Sequence, residues 1–151
     1  MRTRATGFTT VELVVTLVII GILAAIALPR FQDNSAFIQR GFSDEVRTAL
    51  RYAQKMAIAK RREVCVNFSA TQLTLTFNPS PTAGAPCSGV INLPGEARPY
   101  VAIVPAGIVL NASASFRFNG LGQPSPAPVT VALTGRALPI TVAAETGHVS
   151  N

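Results

Sequence analysis

A single carboxylate, Glu12, stands at the head of a segment that carries no other charge from Leu13 to Leu28. An ionisable group inside an apolar span is expensive, so one that persists has a function and a partner. The run has the length of one helix: with Phe8 to Val11 in front, it approaches the ~20 residues that cross a ~30 Å hydrocarbon core. Arg2 and Arg4 precede it with no acid between. The positive-inside rule therefore leaves Met1 in the cytoplasm and carries everything after Pro29 across the membrane. A cleaved secretory signal is the competing reading, and Ala25-Ile26-Ala27 supplies small residues of the kind such a site needs. Two features argue against it: a glutamate at the mouth of the apolar region, and a length at or beyond the usual roughly 7–15 residues.

The stretch Gly7-Phe8-Thr9-Thr10-Val11-Glu12-Leu13, the apolar helix with Gly21 and the following Pro29 resemble the N-terminus of type IV prepilins and pseudopilins. The resemblance is dense over Met1 to Phe31. It implies cleavage between Gly7 and Phe8 by a membrane aspartyl prepilin peptidase, N-methylation of Phe8, and a role for Glu12 in assembly. The partners it implies are other pilin or pseudopilin subunits, that peptidase, an inner-membrane assembly platform, and the lipid bilayer before assembly. The chemistry of Glu12 agrees. Cleavage after Gly7 creates an ammonium on Phe8, and a neighbouring subunit's ammonium neutralises Glu12 only at one axial stagger. Such a pair fixes register rather than adding much net stability.

The 151 residues leave room for one small domain after the leader and apolar helix. The expected organisation is a leader over 1–7, a transmembrane and assembly helix over 8–29, an amphipathic helix over 30–62 and a β-rich head over 63–151. Pro29 should kink or interrupt the first helix, with Asp33-Asn34-Ser35 loosening or recapping it. From Ala36 to Arg62, Ile38, Phe42, Val46, Ala49, Leu50, Ala53, Met56 and Ala57 recur at helical spacing. Arg40, Asp44, Arg47, Arg51 and Lys55 lie on the opposite side, most simply a solvated face. Beyond Arg62 the period changes. Val64–Phe68 and Gln72–Phe77 alternate around a short link, as a hairpin does. Residues 100–104, 108–110, 115–118, 129–133 and 140–143 read as further strands between Gly and Pro punctuation, and 78–89 reads as loop. The fold class is α+β: a long N-terminal helix, hydrophobic then amphipathic, over an antiparallel, turn-rich sheet.

Phe118-Asn119-Gly120-Leu121-Gly122-Gln123-Pro124, Val129-Thr130-Val131, Ile140-Thr141-Val142 and Glu145-Thr146-Gly147-His148-Val149 are similar to the tail of H-type pseudopilins and FimT-like minor pilins. Tyr52 to Ala57 with Arg62-Glu63-Val64-Cys65-Val66 resembles the C-type minor pilin of MSHA pili. Turn geometry that needs positive φ explains Gly120, Gly122 and Gly147 equally well.

Cys65 and Cys87 fall on the translocated side, where one disulfide is expected; a buried free thiol at Cys65 and an exposed one at Cys87 is the alternative. A metal site would need more ligands than His148 can add, and no cofactor is expected. The formal charge is +6, of which Arg2 and Arg4 would leave with the leader, so nucleic acid is a weak expectation. By the resemblance, the FimT-like members that capture DNA do so with a basic C-terminal tail; the matching tail here, Gly147 to Asn151, lacks Arg and Lys. Lys60-Arg61-Arg62 is a short basic cluster where a helix C-terminus already favours cations. No carboxylate pair, aspartate-rich loop or phosphate-cradling glycine loop is readable, which argues against an enzyme. The expected function is that of a minor pilin or pseudopilin, a structural filament subunit of a type IV pilus or type II secretion pseudopilus. A pilus-tip binding module for DNA uptake or adhesion, and a secreted periplasmic domain, are the alternatives.

Overall fold

The computed structural model describes residues 7–32, 35–112 and 114–151. They form two units that divide between Asn34 and Ser35. The first is helix α1, Thr10–Gln32. Thr9 caps it: its Oγ1 accepts a hydrogen bond from the Glu12 N–H at 3.2 Å, and the Leu13 N–H donates to the Thr9 carbonyl at 3.1 Å. A threonine three residues ahead of a glutamate has the spacing of a capping box. The helix continues through Pro29 to Gln32, so the interruption expected at the proline does not occur there. Proline deletes one backbone donor, and the turns on either side keep theirs. Of the residues expected to recap it, Asp33 and Asn34 lie outside the described residues and Ser35 is the first residue of the next helix; of the leader, Met1 to Thr6 lie outside them.

The second unit starts with helix α2, Ser35–Lys60. Its strands are β1 (Val64–Phe68), β2 (Gln72–Phe77), β3 (Gly89–Val90), β4 (Val101–Ile103), β5 (Leu110–Ala112), β6 (Phe116–Phe118), β7 (Pro124–Ser125), β8 (Val129–Leu133), β9 (Ile140–Val142) and β10 (Val149–Ser150). They build two antiparallel sheets where a single one was expected. One has the order β3-β2-β1-β6-β7 with β4 also paired to β2, and the other the order β10-β9-β8-β5. The chain passes between the sheets from β4 to β5, from β5 to β6 and from β7 to β8, and the last passage runs through Pro126 and Pro128, which have no N–H to extend a ladder.

Phe42, Val46, Ala49, Leu50, Ala53 and Ala57 are buried along one face of α2. The alanines at four-residue spacing let the sheet approach closely, and α2 touches β1, β2, β4, β6 and β10. Val64 and Val66 of β1, Leu73 and Leu75 of β2 and Phe118 of β6 join this core, which continues into the second sheet through Val131 of β8, Ile140 and Val142 of β9 and Val149 of β10. Ile38, on the same predicted face, is exposed, because the core begins only at Phe42. On the opposite side Arg40, Asp44, Arg51 and Lys55 are exposed and Arg47 is half-buried. Arg51 reaches across to donate to the Val149 carbonyl at 3.1 Å, which ties α2 to the second sheet.

Candidate functional site

In α1, the described side chains from Phe8 to Ala25 are all exposed. Val11, Leu13, Val14, Val15, Leu17 and Val18 are successive large apolar groups, so every face of the helix is greasy. A helix that is hydrophobic all round is stable only when something else covers it. Among the described residues, no helix is long and apolar enough to cross a membrane. The uncharged run extends to Leu28, beyond Ala25, the last residue of α1 with a described side chain. Phe8 is 78% exposed and Glu12 is exposed in the first helical turn, one turn away along the chain. Nothing within the described residues meets a side-chain atom at Gly7, where an added Cβ would find open space. The sequence reading missed the cap by Thr9, although the Thr-x-x-Glu spacing that signals it is present.

The basic cluster ends α2, and the structure gives its three residues different surroundings. Lys60 places Nζ 4.6 Å from the centroid of the Phe77 ring, a cation–π contact. Arg61 is exposed and Arg62 half-buried. Arg61 N–H donates to the Ile58 carbonyl and Arg62 N–H to the Ala57 carbonyl, both at 3.2 Å, which closes the helix two residues before its predicted end.

The next residue, Glu63, organises the Pro-rich loop. Its Oε2 accepts from Asn78 Nδ2 at 3.1 Å, from the Gly84 N–H at 2.8 Å and from Arg117 Nη1 at 3.1 Å. Asn78 in turn accepts from the Ser80 N–H at 2.8 Å through its Oδ1, an Asx turn that Asn-Pro-Ser-Pro could have announced. Burial alone would push the Glu63 carboxyl up. The three hydrogen bonds and the Arg117 charge outweigh it, and its pKa lies below the ordinary 4.5. A depressed carboxylate stabilises the fold above its unfolded pKa, and that stability is lost as pH falls through the folded value. The thermal midpoint should therefore drop on acidification below about pH 4.5, and in Glu63→Gln this part of the drop should be missing. An unchanged acid profile in Glu63→Gln would contradict the assignment.

Cys65 of β1 and Cys87 of the same loop are joined by a disulfide, with Cα atoms 6.2 Å apart. The bond pins the far end of the loop that Glu63 holds at Gly84. Replacing both cysteines with serine should cost about 3 kcal/mol in urea unfolding, the entropy of freeing a loop of this size. A loss under about 1 kcal/mol would mean that Glu63 already holds the loop.

His148 is exposed in the β9–β10 turn, where its N–H donates to Thr146 Oγ1 at 3.2 Å. Among the described residues no three His, Cys, Asp or Glu side chains gather as a metal site.

Residues 43–147 match the family model of type II transport protein GspH. The fold is similar to that of the type IV minor pilin FimU of Pseudomonas aeruginosa, with a TM-score of 0.55, 14% identity, and coverage of 78% of this chain and 90% of that one. It is also similar to the minor pseudopilin EpsH of the Vibrio cholerae type II secretion system, with a TM-score of 0.54, 14% identity, and coverage of 75% and 92%. A fimbrial protein of P. aeruginosa is 43% identical over 58 residues, 38% of either chain. The type IV narrow pilus major component PilA5 of Thermus thermophilus is 41% identical over 61 residues, 40% of this chain and 53% of that protein. The chain thus spans roughly two fifths to half the length of these curated relatives.

Proposed function

The chain belongs to the GspH family of type II transport proteins, and from that premise we propose that it works as a minor pilin or pseudopilin, a structural subunit of a type IV pilus or type II secretion pseudopilus. The observation that carries this reading is α1, apolar on every face, exposed along its described side chains, and bearing one acid in its first turn. A neighbouring copy of the same kind of helix covers such a surface in a fibre, and lipid covers it beforehand.

In this reading residues 1–7 are removed by prepilin peptidase and Phe8 becomes the methylated N-terminus. Residues 8–29 anchor the chain once through the inner membrane, with the unit from residue 30 onward in the periplasm. The amphipathic segment 30–62 and the β-rich segment 63–151 form the displayed head. Glu12 meets the Phe8 ammonium of an adjacent subunit when the assembly platform lifts the helix out of the bilayer. No step makes or breaks a covalent bond in a substrate, so the role is mechanical.

The test is a count. Mass spectrometry of sheared filaments and of the secretion pseudopilus fraction should find this chain in one of them at far below the level of the main subunit. Its absence from both, with soluble protein accumulating in the periplasm, would favour a secreted domain and refute the proposal.

A further inference from the structure

Arg61 has φ 49°, in the left-handed region that glycine normally occupies at the end of a helix. Beside it lies a turn built to fit. Gly120 presses on the Arg61 backbone so closely that an added Cβ would stand 3.2 Å from the Arg61 carbonyl carbon. Asn119 Oδ1 accepts from the N–H groups of Leu121 at 2.9 Å and Gln123 at 3.0 Å, and the Gly122 N–H donates to the Asn119 carbonyl at 2.8 Å. A turn with its amides so occupied holds its tip still, and that tip is Leu121, 78% exposed. Leu121 and Ile58, 49% exposed, line one concavity of about 670 Å³ together with Arg61, Asn119 and Gly120.

The charge at this place is one-sided. Lys60, Arg61 and Arg62 are consecutive, and the acid that follows them is already spent: Glu63 is turned to Asn78, Gly84 and Arg117, with only 15% of its side chain exposed. Arg61 is exposed and, among the described residues, enters no ion pair. An exposed arginine, a residue type enriched where interface binding energy concentrates, stands here beside two large apolar groups on a rigid frame. Nucleic acid fits less well: among the described residues none that lines the concavity is aromatic, so these offer bases no ring to stack on, and Lys60 is engaged by Phe77.

We propose that this concavity docks an acidic segment of a partner protein. An apolar side chain of that segment enters between Ile58 and Leu121, and an adjacent carboxylate pairs with the Arg61 guanidinium, whose fork suits it. The surface belongs to the unit from Ser35 to Asn151, and the proposal stands whether or not the chain polymerises.

The full chain in detergent micelles should be probed with arrayed short peptides graded in Asp and Glu content and in apolar residues, and with a thymidine oligonucleotide. Peptides that place Asp or Glu beside Leu, Ile or Phe should be retained. Leu121→Ser, at an exposed tip, and Arg61→Gly should each weaken them about tenfold or more. Arg61→Gly should at the same time raise the thermal midpoint, because glycine relieves the left-handed backbone. A residue kept only for the fold would give the opposite sign. Retention of no acidic peptide, retention indifferent to acid content, unchanged binding by both variants, or preference for the oligonucleotide would each overturn the proposal.

Discussion

Glu12→Leu should leave the chain in the membrane at wild-type levels and remove it from fibres. Leucine lowers the cost of placing α1 in lipid, so insertion has no reason to suffer. Packing of the helices against one another also loses little, since exchanging a buried ion pair for an apolar group is often neutral or stabilising. On the proposed pairing, what disappears is the interaction with the Phe8 ammonium that would distinguish the correct axial stagger from its neighbours. Apart from Thr16 and Gly21, which carry no charge, Leu, Val and Ile recur with little variation from Leu13 to Leu23, so the residues after Glu12 offer no second charged register mark. If the pair discriminates by about 3 kcal/mol, incorporation falls roughly a hundredfold. Comparison of membrane and sheared fractions by immunoblot reads both quantities. Glu12→Gln separates charge from hydrogen bonding, and should also be excluded if the ammonium is the partner. Normal incorporation of Glu12→Leu would end this account of the residue.

The second large effect is expected at Gly147. Its φ is 66°, and an added Cβ would lie 1.9 Å from the Gly122 carbonyl oxygen and 2.7 Å from Gln54 Nε2. That oxygen and nitrogen belong to a bridge in which Gln54 of α2 donates to the carbonyls of Gly122 and Thr146, at 3.3 and 2.8 Å. Gly147→Ala must therefore push apart two backbones and break the side chain that links them to the helix. A left-handed alanine costs about 1–2 kcal/mol, and losing the two hydrogen bonds of Gln54, one part-buried and one exposed, costs about 0.5–1.5 kcal/mol each. We expect about 3 kcal/mol in all, a fall of roughly 10 °C or more in the midpoint of a domain this size. Gly84 supplies the control, with φ 80° and open space where a Cβ would go. Gly84→Ala should lose only about 1–2 kcal/mol, from the backbone alone. Equal losses at the two glycines would show that the contact with Gly122 does not matter.

These cases mark how far the sequence could be read. β1 and β2 occur with the bounds that alternation predicts, because each is long enough to show the period. α2 was visible for the same reason, to within two residues. The strands β3, β7 and β10 are two residues each and carry no period at all. The separation into two sheets is a matter of which strands meet, and distant pairing leaves no local mark. Positive φ at Gly122 and Gly147 was anticipated from turn geometry, and both have it. Gly120 does not, and its reason is contact with Arg61, which no local pattern reveals. The helix end at Arg61 was hidden because an arginine occupies the place where a glycine would have announced it. The disulfide was simple to foresee, since the chain offers only two cysteines. Glu63 was passed over as one acid among several, because the partners that depress its pKa lie 15, 21 and 54 residues away.

The central claim is that Glu12 requires a free amine on Phe8, and therefore requires processing before assembly. The intact mass of this subunit recovered from sheared fibres tests it most directly. The account predicts a chain that begins at Phe8 and carries one methyl group on its nitrogen. A chain that still holds Met1 to Gly7 while residing in fibres would contradict it.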